Sequence, residues 1–198
     1  MRILAIALTI LLFQDPAPAP FLALKEGAVW TYATGTGEGK VRVTGREKIG
    51  EPGSEIETFV LTSEIGGSST EKEYLVADAT GIRMLRQMSG TRKTDYVPPF
   101  VRLKLPPAKG DTWEWKGEIG KEKAAVVFVN DGEEEITVPA GKYKAWKVSA
   151  AMDIGGVKHT GANWFAPGVG IIRQQSTFES GGKKHESLIE LKSFEPGA

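Results

Sequence analysis

The chain has 198 residues, with 25 basic and 25 acidic side chains and no cysteine. This charge balance excludes a global electrostatic attraction to nucleic acid or to an anionic membrane. Without cysteine the chain forms no disulfides, so its fold depends on packing alone. Apolar residues make up 40% of the sequence, including five tryptophans and eight phenylalanines, and a chain of this length suits one domain.

The N-terminal residues have the pattern of a secretory signal. Met1-Arg2 carries positive charge, and residues 3–13 form an apolar run that is too short for an ordinary membrane span. Small residues suited to cleavage follow at 17–19. We therefore predict a signal peptide over residues 1–19, one β domain over 20–198, and an exported protein that is periplasmic or secreted. Cleavage after Ala17 or Ala19 would leave proline as the first residue, which is unfavourable for a signal peptidase. An uncleaved segment is therefore the alternative, and it would be the only contact with the membrane.

Glycine and proline divide the rest of the chain into short segments. The segments alternate apolar and polar residues, which is typical of half-buried strands, and none shows a sustained 3.6-residue period with caps. We predict an all-β fold with almost no helix: an antiparallel meander of a dozen or more short strands, curled into a barrel or two curved sheets. The predicted turns lie at 35–39, 51–53, 66–69, 106–110, 130–132 and 180–183.

Two corners in the second half carry specific turn chemistry. Val138-Pro139-Ala140-Gly141 has Gly141 where a left-handed residue is needed, which predicts a three-residue hairpin with a bulge. In Ala166-Pro167-Gly168, glycine directly after proline indicates a type II turn.

A short pattern occurs twice in the chain. The strand opening around Trp30 and Tyr32 recurs around Trp113 and Trp115, shifted by 83 positions from Trp30 to Trp113. The glycine-led segment that begins at Gly81 recurs at Gly168, shifted by 87. We predict two homologous β halves, about 21–105 and 106–195; chance similarity between short strands is the alternative.

The two strand openings, together with Val-Pro-Ala-Gly-Lys-Tyr-x-Ala-Trp-Lys-Val at 138–148 and Trp-Phe-Ala-Pro-Gly-Val-Gly at 164–170, resemble an uncharacterised family of exported bacterial β proteins. This domain-of-unknown-function type is loosely similar to lipoprotein-carrier folds. The resemblance implies export, curved antiparallel sheets and a lean towards binding something apolar. It implies no activity and no functional residues.

No catalytic or metal motif is complete. Residues 34–40 lack the first glycine and the helix of a phosphate loop, and the Ser180–Lys183 spacing lies in a glycine turn, where a Ser-x-x-Lys nucleophile needs a helix. The two histidines, His159 and His185, have no third ligand at metal-site spacing. We expect a protein that is not an enzyme and that uses no cofactor or metal.

The expected function is therefore binding, by an exported envelope protein with an apolar or amphiphilic ligand, such as a lipid, inside a curved sheet. Arginines near the mouth are predicted to meet an anionic head, although outward-facing strand charges are the simpler interpretation. The alternative is an interaction or structural module that docks to an envelope protein. The residues predicted to line the interior are Trp113, Trp115, Trp146, Trp164 and Met84, with Arg83, Arg86 and Arg102 near the mouth.

Overall fold

The computed structural model of the chain describes residues 21–65, 70–119, 122–154, 156–180 and 183–197. The predicted signal peptide and the predicted turn at 66–69 lie outside these residues, as do residues 181–182 of the turn predicted at 180–183. Twelve strands form: Val29–Thr34 (β1), Gly37–Ile49 (β2), Ile56–Ile65 (β3), Thr70–Asp78 (β4), Gly81–Ser89 (β5), Arg92–Lys104 (β6), Thr112–Ile119 (β7), Glu122–Val138 (β8), Gly141–Ile154 (β9), Val157–Ala166 (β10), Gly170–Ser180 (β11) and Lys183–Glu195 (β12).

The strands form one antiparallel sheet in the order β6-β5-β4-β3-β2-β1-β12-β11-β10-β9-β8-β7. The first and last strands pair in the middle of this order, and the two edge strands, β6 and β7, lie side by side, so the sheet is a nearly closed barrel. The predicted all-β meander is confirmed, and a barrel replaces the option of two sheets. The described residues contain no helix, and hence none that is long and apolar enough to cross a membrane.

Alternation along the strands places the core inside the barrel. In β7 the side chains of Trp113 and Trp115 are buried, while Thr112, Glu114 and Lys116 between and beside them are exposed. The same period recurs in β8, where Ala124, Val126 and Phe128 are buried. Successive residues of a strand point to opposite faces, so one face of the closed sheet supplies a continuous apolar interior.

The turn predicted at 130–132 is wrong, because β8 runs on as one strand through residue 138. Its pairing with β9 shifts between Asn130 and Gly132, which makes Asp131 the extra residue of a β-bulge. The buried Asn130 side chain accepts a 3.0 Å hydrogen bond from the backbone N–H of Gly132. An Asn-Asp-Gly sequence therefore bends this strand and does not end it.

The two predicted corners differ in outcome. Val138 pairs with Gly141, which leaves only two loop residues where three were predicted; Gly141 has the expected positive φ of 131°. At the second corner the N–H of Val169 donates to the carbonyl of Ala166 at 3.1 Å, and Gly168 has φ of 77°. The type II turn is confirmed.

One end of the barrel is covered by chain outside the sheet. The N-terminal Leu22 packs against the core, and a Cβ atom at Gly170, where φ is 103°, would lie 2.4 Å from Cδ1 of Leu22, so a side chain there would strain the backbone and displace that leucine. The tip of the β8–β9 hairpin also reaches over two strands, since the N–H of Ala140 donates to the carbonyl of Leu191 at 2.9 Å. The interior is thereby closed on that side.

Candidate functional site

The barrel encloses a cavity of about 550 Å³. This volume lies within the range of small-molecule sites, roughly 300–1,000 Å³. Small barrels of about eight strands fill themselves with side chains, and larger ones leave room for a ligand. The deepest part of the wall is apolar and almost fully buried, and it includes Trp30, Leu75, Ile82 and Phe165.

The cavity becomes polar towards the opposite end. Along β4 the lining changes from Leu75 through Glu73 to Glu71, which lies near the start of the strand. On β11 the exposed residues Gln174 and Gln175 also line it, so the cavity reaches solvent there. The space thus has an apolar floor and a hydrophilic rim, which matches an amphiphile better than a purely apolar molecule.

A buried ion pair crosses the wall between floor and rim. Arg102 is the extra residue of a bulge in β6, because Ile82 pairs with Leu103 and Arg83 with Val101. Its guanidinium donates two hydrogen bonds to Glu73, at 2.9 and 2.5 Å, and both side chains are less than a quarter exposed. A bidentate pair of this kind fixes orientation as well as charge.

Neutral groups continue this polar network. The Tyr96 hydroxyl donates to Oε1 of Gln87 at 3.0 Å, and Nε2 of Gln87 donates to Glu71 at 3.3 Å. Tyr32 donates to the carbonyl of Ile171 at 2.8 Å. Burial, with a smaller effect of Glu73, raises the pKa of Tyr32 well above its ordinary value.

One polar atom of the lining lacks a partner. Oδ1 of Asn163 is buried and accepts no hydrogen bond from any described residue, and Asn163 faces the cavity. Buried acceptors in folded proteins are nearly always paired with protein or water. The atom is shielded from water-sized molecules, so it is an unsatisfied acceptor within the wall.

Of the eight residues predicted for binding, the structure brings Met84 and Arg102 into the cavity lining. Trp113 and Trp115 are buried one layer behind it. Trp113 stacks on Phe128 with ring centroids 5.1 Å apart, and Trp115 packs edge-on against Phe100 at 5.3 Å. They support the aromatic wall from outside the cavity.

The other four predicted residues lie away from the cavity. Trp146 is half-buried and outside the lining. Trp164 lies between the cationic groups of Lys147 and Arg173, each 5.6 Å from its ring, and is likewise outside the lining. Its neighbour Phe165 does line the cavity, and successive residues of a strand point to opposite faces, so Trp164 lies on the outer face of β10.

The predicted arginines near a mouth are neutralised on the strands themselves. Arg83 forms an ion pair with Asp78, and hydrogen bonds from Thr80 and Arg83 hold the pKa of that carboxyl well below its ordinary value. Arg86 pairs with Asp95 at 2.5 Å. Neither residue lines the cavity. Arg83 and Arg86 therefore do not form the predicted binding site for an anionic head.

The cavity is also lined by residues that were not predicted from the sequence as binding residues, among them Trp30, Tyr32, Glu71, Glu73 and Asn163. The alternation of Glu71, Glu73 and Leu75 on one strand was the available signal. Acids at the inward period of a strand indicate a hydrated or ligand-bearing interior.

Comparison with known proteins agrees with the predicted resemblance to an uncharacterised family. A family model described as DUF3108-like matches residues 128–188. The match contains both corner motifs and runs from Phe128 in β8 into β12, which is one side of the cavity wall. No curated protein matches the chain.

Three solved structures are similar to the chain at low identity. A candidate lipoprotein from Parabacteroides distasonis is 13% identical, with a TM-score of 0.44, over 91% of this chain and 100% of that one. A candidate exported protein with a YmcC-like fold from Bacteroides fragilis is 18% identical, with a TM-score of 0.44, over 89% and 99%. The hypothetical lipoprotein YmcC from Escherichia coli is 9% identical, with a TM-score of 0.37, over 84% and 83%.

Proposed function

We propose that this chain is an exported, non-enzymatic binding protein that holds one amphiphilic molecule, such as a lipid, inside its barrel. The observation that carries the proposal is the cavity of about 550 Å³, with its floor of Trp30, Leu75 and Ile82 and its rim of Glu71 and Gln175. A binding site of this kind keeps an apolar body out of water and leaves a polar group near the opening.

The proposal includes no reaction. Catalysis by a nucleophile needs a base within hydrogen-bond reach and a group that orients the base. In the described part of the cavity, Glu73 is held by Arg102, and His159 at the rim makes none of the described hydrogen bonds to a hydroxyl residue. Nor do three metal-binding side chains cluster among the described residues.

The place of action is also proposed. The charged start and apolar run of residues 2–13 support export, to the periplasm or out of the cell. The alternative, a module that docks through basic strands, has weaker support, because Arg83, Arg86 and Arg102 all pair with acids of β4 or β6. Their charge is therefore satisfied within the protein.

Ligand binding tests this function directly. A hydrophobic fluorophore or a C12 amphiphile at micromolar concentration is expected to quench tryptophan emission, since Trp30 lines the cavity, and to raise the melting temperature. Replacing the lining residue Ala150 by Phe fills part of the space and is expected to weaken binding.

Ala151→Phe is the matched control, because Ala151 is the next residue of β9, is exposed and lies outside the lining. It is expected to bind like the natural chain. Equal binding by both variants, or no binding of any amphiphile to the unmodified chain, would contradict the proposal.

A further inference from the structure

We propose that the cavity selects a positively charged head, of the ammonium class, over a carboxylate or phosphate. This inference rests on the proposed function and names the ligand class of the same site. It starts from the charges that line the cavity in the described chain: Glu71, Glu73 and Arg102. Two acids face one base, so the lining carries a net negative charge when His159 is neutral.

Arg102, the one lysine or arginine of the described lining, already forms an ion pair with Glu73. Both oxygens of Glu73 accept from the Arg102 guanidinium, at 2.9 and 2.5 Å, and the pair is mostly buried. The pair has no net charge to attract an anionic head, and a head that displaced Glu73 from the guanidinium would leave that carboxylate buried and unpaired. Uncompensated buried charge is strongly unfavourable.

The free groups of the lining are acceptors. Glu71 has no ion-pair partner among the described residues and receives only a 3.3 Å hydrogen bond, from Gln87, on one of its oxygens. An ammonium group has three donors and no acceptor, so it satisfies such acceptors, whereas a carboxylate adds more acceptors to them.

The rim supplies the matching geometry for an amphiphile. Glu71 lies beyond Glu73 and Leu75 on the same strand, two and four residues further from the floor. A tail in contact with Trp30 and Ile82 would leave its head at the level of Glu71. The apolar floor therefore sets the depth of the tail, and the acid selects the head.

Head-group selection is measured with amphiphiles that share a C12 tail, below their micelle concentrations: dodecylammonium, dodecyltrimethylammonium, dodecanol and dodecanoate. We expect dodecylammonium to bind the full chain at least about tenfold more tightly than dodecanoate, which corresponds to one charge-assisted hydrogen bond. Dodecyltrimethylammonium carries the charge without donors, so weaker binding than dodecylammonium is expected.

Glu71→Gln keeps the size of the side chain and removes its charge. It is expected to reduce the preference for dodecylammonium over dodecanoate by about tenfold. Glu133→Gln makes the same charge change at an exposed position outside the lining, and it is expected to leave the preference unchanged. Ala150→Phe is expected to weaken binding of all four amphiphiles.

Each outcome separates the two proposals. Dodecanoate binding as tightly as dodecylammonium would overturn head selection and leave the carrier function standing. An unchanged preference in Glu71→Gln would overturn the assignment to Glu71. If no amphiphile binds or raises the melting temperature, the carrier function fails and head selection falls with it.

Discussion

At the scale of single residues, glycine conformation sets the corners of the barrel. Gly168 has φ of 77° in the turn that joins β10 to β11, and a Cβ atom there would meet nothing within 4 Å. The cost of a side chain at this position is therefore conformational and not steric. A left-handed conformation costs an L-residue about 1–2 kcal/mol.

Gly168→Val is accordingly expected to lower the free energy of unfolding by at least about 1 kcal/mol, as measured by denaturant titration. Gly141→Val, at φ of 131°, is expected to behave likewise. Gly35→Val is the control, because Gly35 also has open space around a Cβ but lacks a positive φ. Equal losses at Gly35 and Gly168 would show that the turn conformation is not responsible.

Tyr32 makes stability depend on alkaline pH. Burial raises its pKa above the ordinary value of 10.0, so the folded chain keeps a proton that the unfolded chain releases. This contribution is fully present below pH of about 10 and is lost as pH rises towards the folded pKa. Tyr32→Phe removes the titration together with the hydrogen bond to Ile171.

Tyr32→Phe is expected to be less stable than the natural chain by about 1 kcal/mol at pH 8 and to lose stability less steeply between pH 10 and 11. Urea unfolding at these pH values measures both effects. A decline as steep as that of the natural chain would assign the alkaline sensitivity to other groups, among them Tyr96, whose pKa burial also raises.

At the scale of elements, the seam between β6 and β7 explains how the barrel closes. No backbone ladder joins these two strands in the described chain. Residues 98 and 99 of β6 are both proline, which has no N–H to donate to a neighbouring strand. The indole of Trp113 donates instead to the carbonyl of Val101 at 2.9 Å, and that of Trp115 to Pro98 at 2.7 Å.

Glycine also shapes this seam. A Cβ atom at Gly117 would lie 2.5 Å from Cζ2 of Trp115 and 3.1 Å from the carbonyl oxygen of Val97. The missing side chain lets the indole reach across to β6. The seam is thus closed by the indoles of Trp113 and Trp115, and the lack of a side chain at Gly117 leaves room for the indole of Trp115.

Trp113→Phe and Trp115→Phe each remove a donor and leave a carbonyl without its partner. Each is expected to destabilise the fold by about 1–3 kcal/mol and to speed amide hydrogen exchange in β6 and β7 first. Trp146→Phe is the control, since its indole makes none of the described hydrogen bonds. Losses no larger than that of Trp146→Phe would contradict an indole-closed seam.

At the scale of the whole molecule, landmarks of the first half recur in the second half after 83 or 87 positions. Trp30 lies in β1 and Trp113 in β7, six strands later. Gly45 and Gly132 each follow the extra residue of a β-bulge, and they differ by 87 positions. Leu85 of β5 and Ile172 of β11 are themselves extra residues of bulges, and they also differ by 87 positions. The motif pair Gly81 and Gly168 has the same shift.

The predicted duplication therefore specifies a superposition. Strands β1–β6 are expected to superpose on β7–β12 in an experimentally determined structure, with Trp30 on Trp113 and Gly45 on Gly132. Two-fold repetition explains why bulges recur at equal spacing. Strands of independent origin would have no reason to share that spacing. Tryptophans or bulges that fall on non-equivalent positions would leave only chance similarity.

The sequence by itself determined the all-β class, the meander and the type II turn at Gly168. These features follow from local rules: period-two alternation, glycine and proline at turns, and chain order in antiparallel neighbours. The same rules placed the tryptophans of β7 on the inward face, where Trp113 is 7% and Trp115 is 2% exposed.

Only the tertiary structure decided which side chains face the cavity. Trp164 precedes the lining residue Phe165 and therefore points to the opposite face of β10. Trp146 lies near the start of β9, outside the part of the strand where Ala150 and Met152 line the cavity. Arg102 meets Glu73 across 29 positions of sequence because β4, β5 and β6 lie side by side. The charge balance of the interior depends on which residues the strand pairing brings together, and local sequence patterns do not specify that pairing.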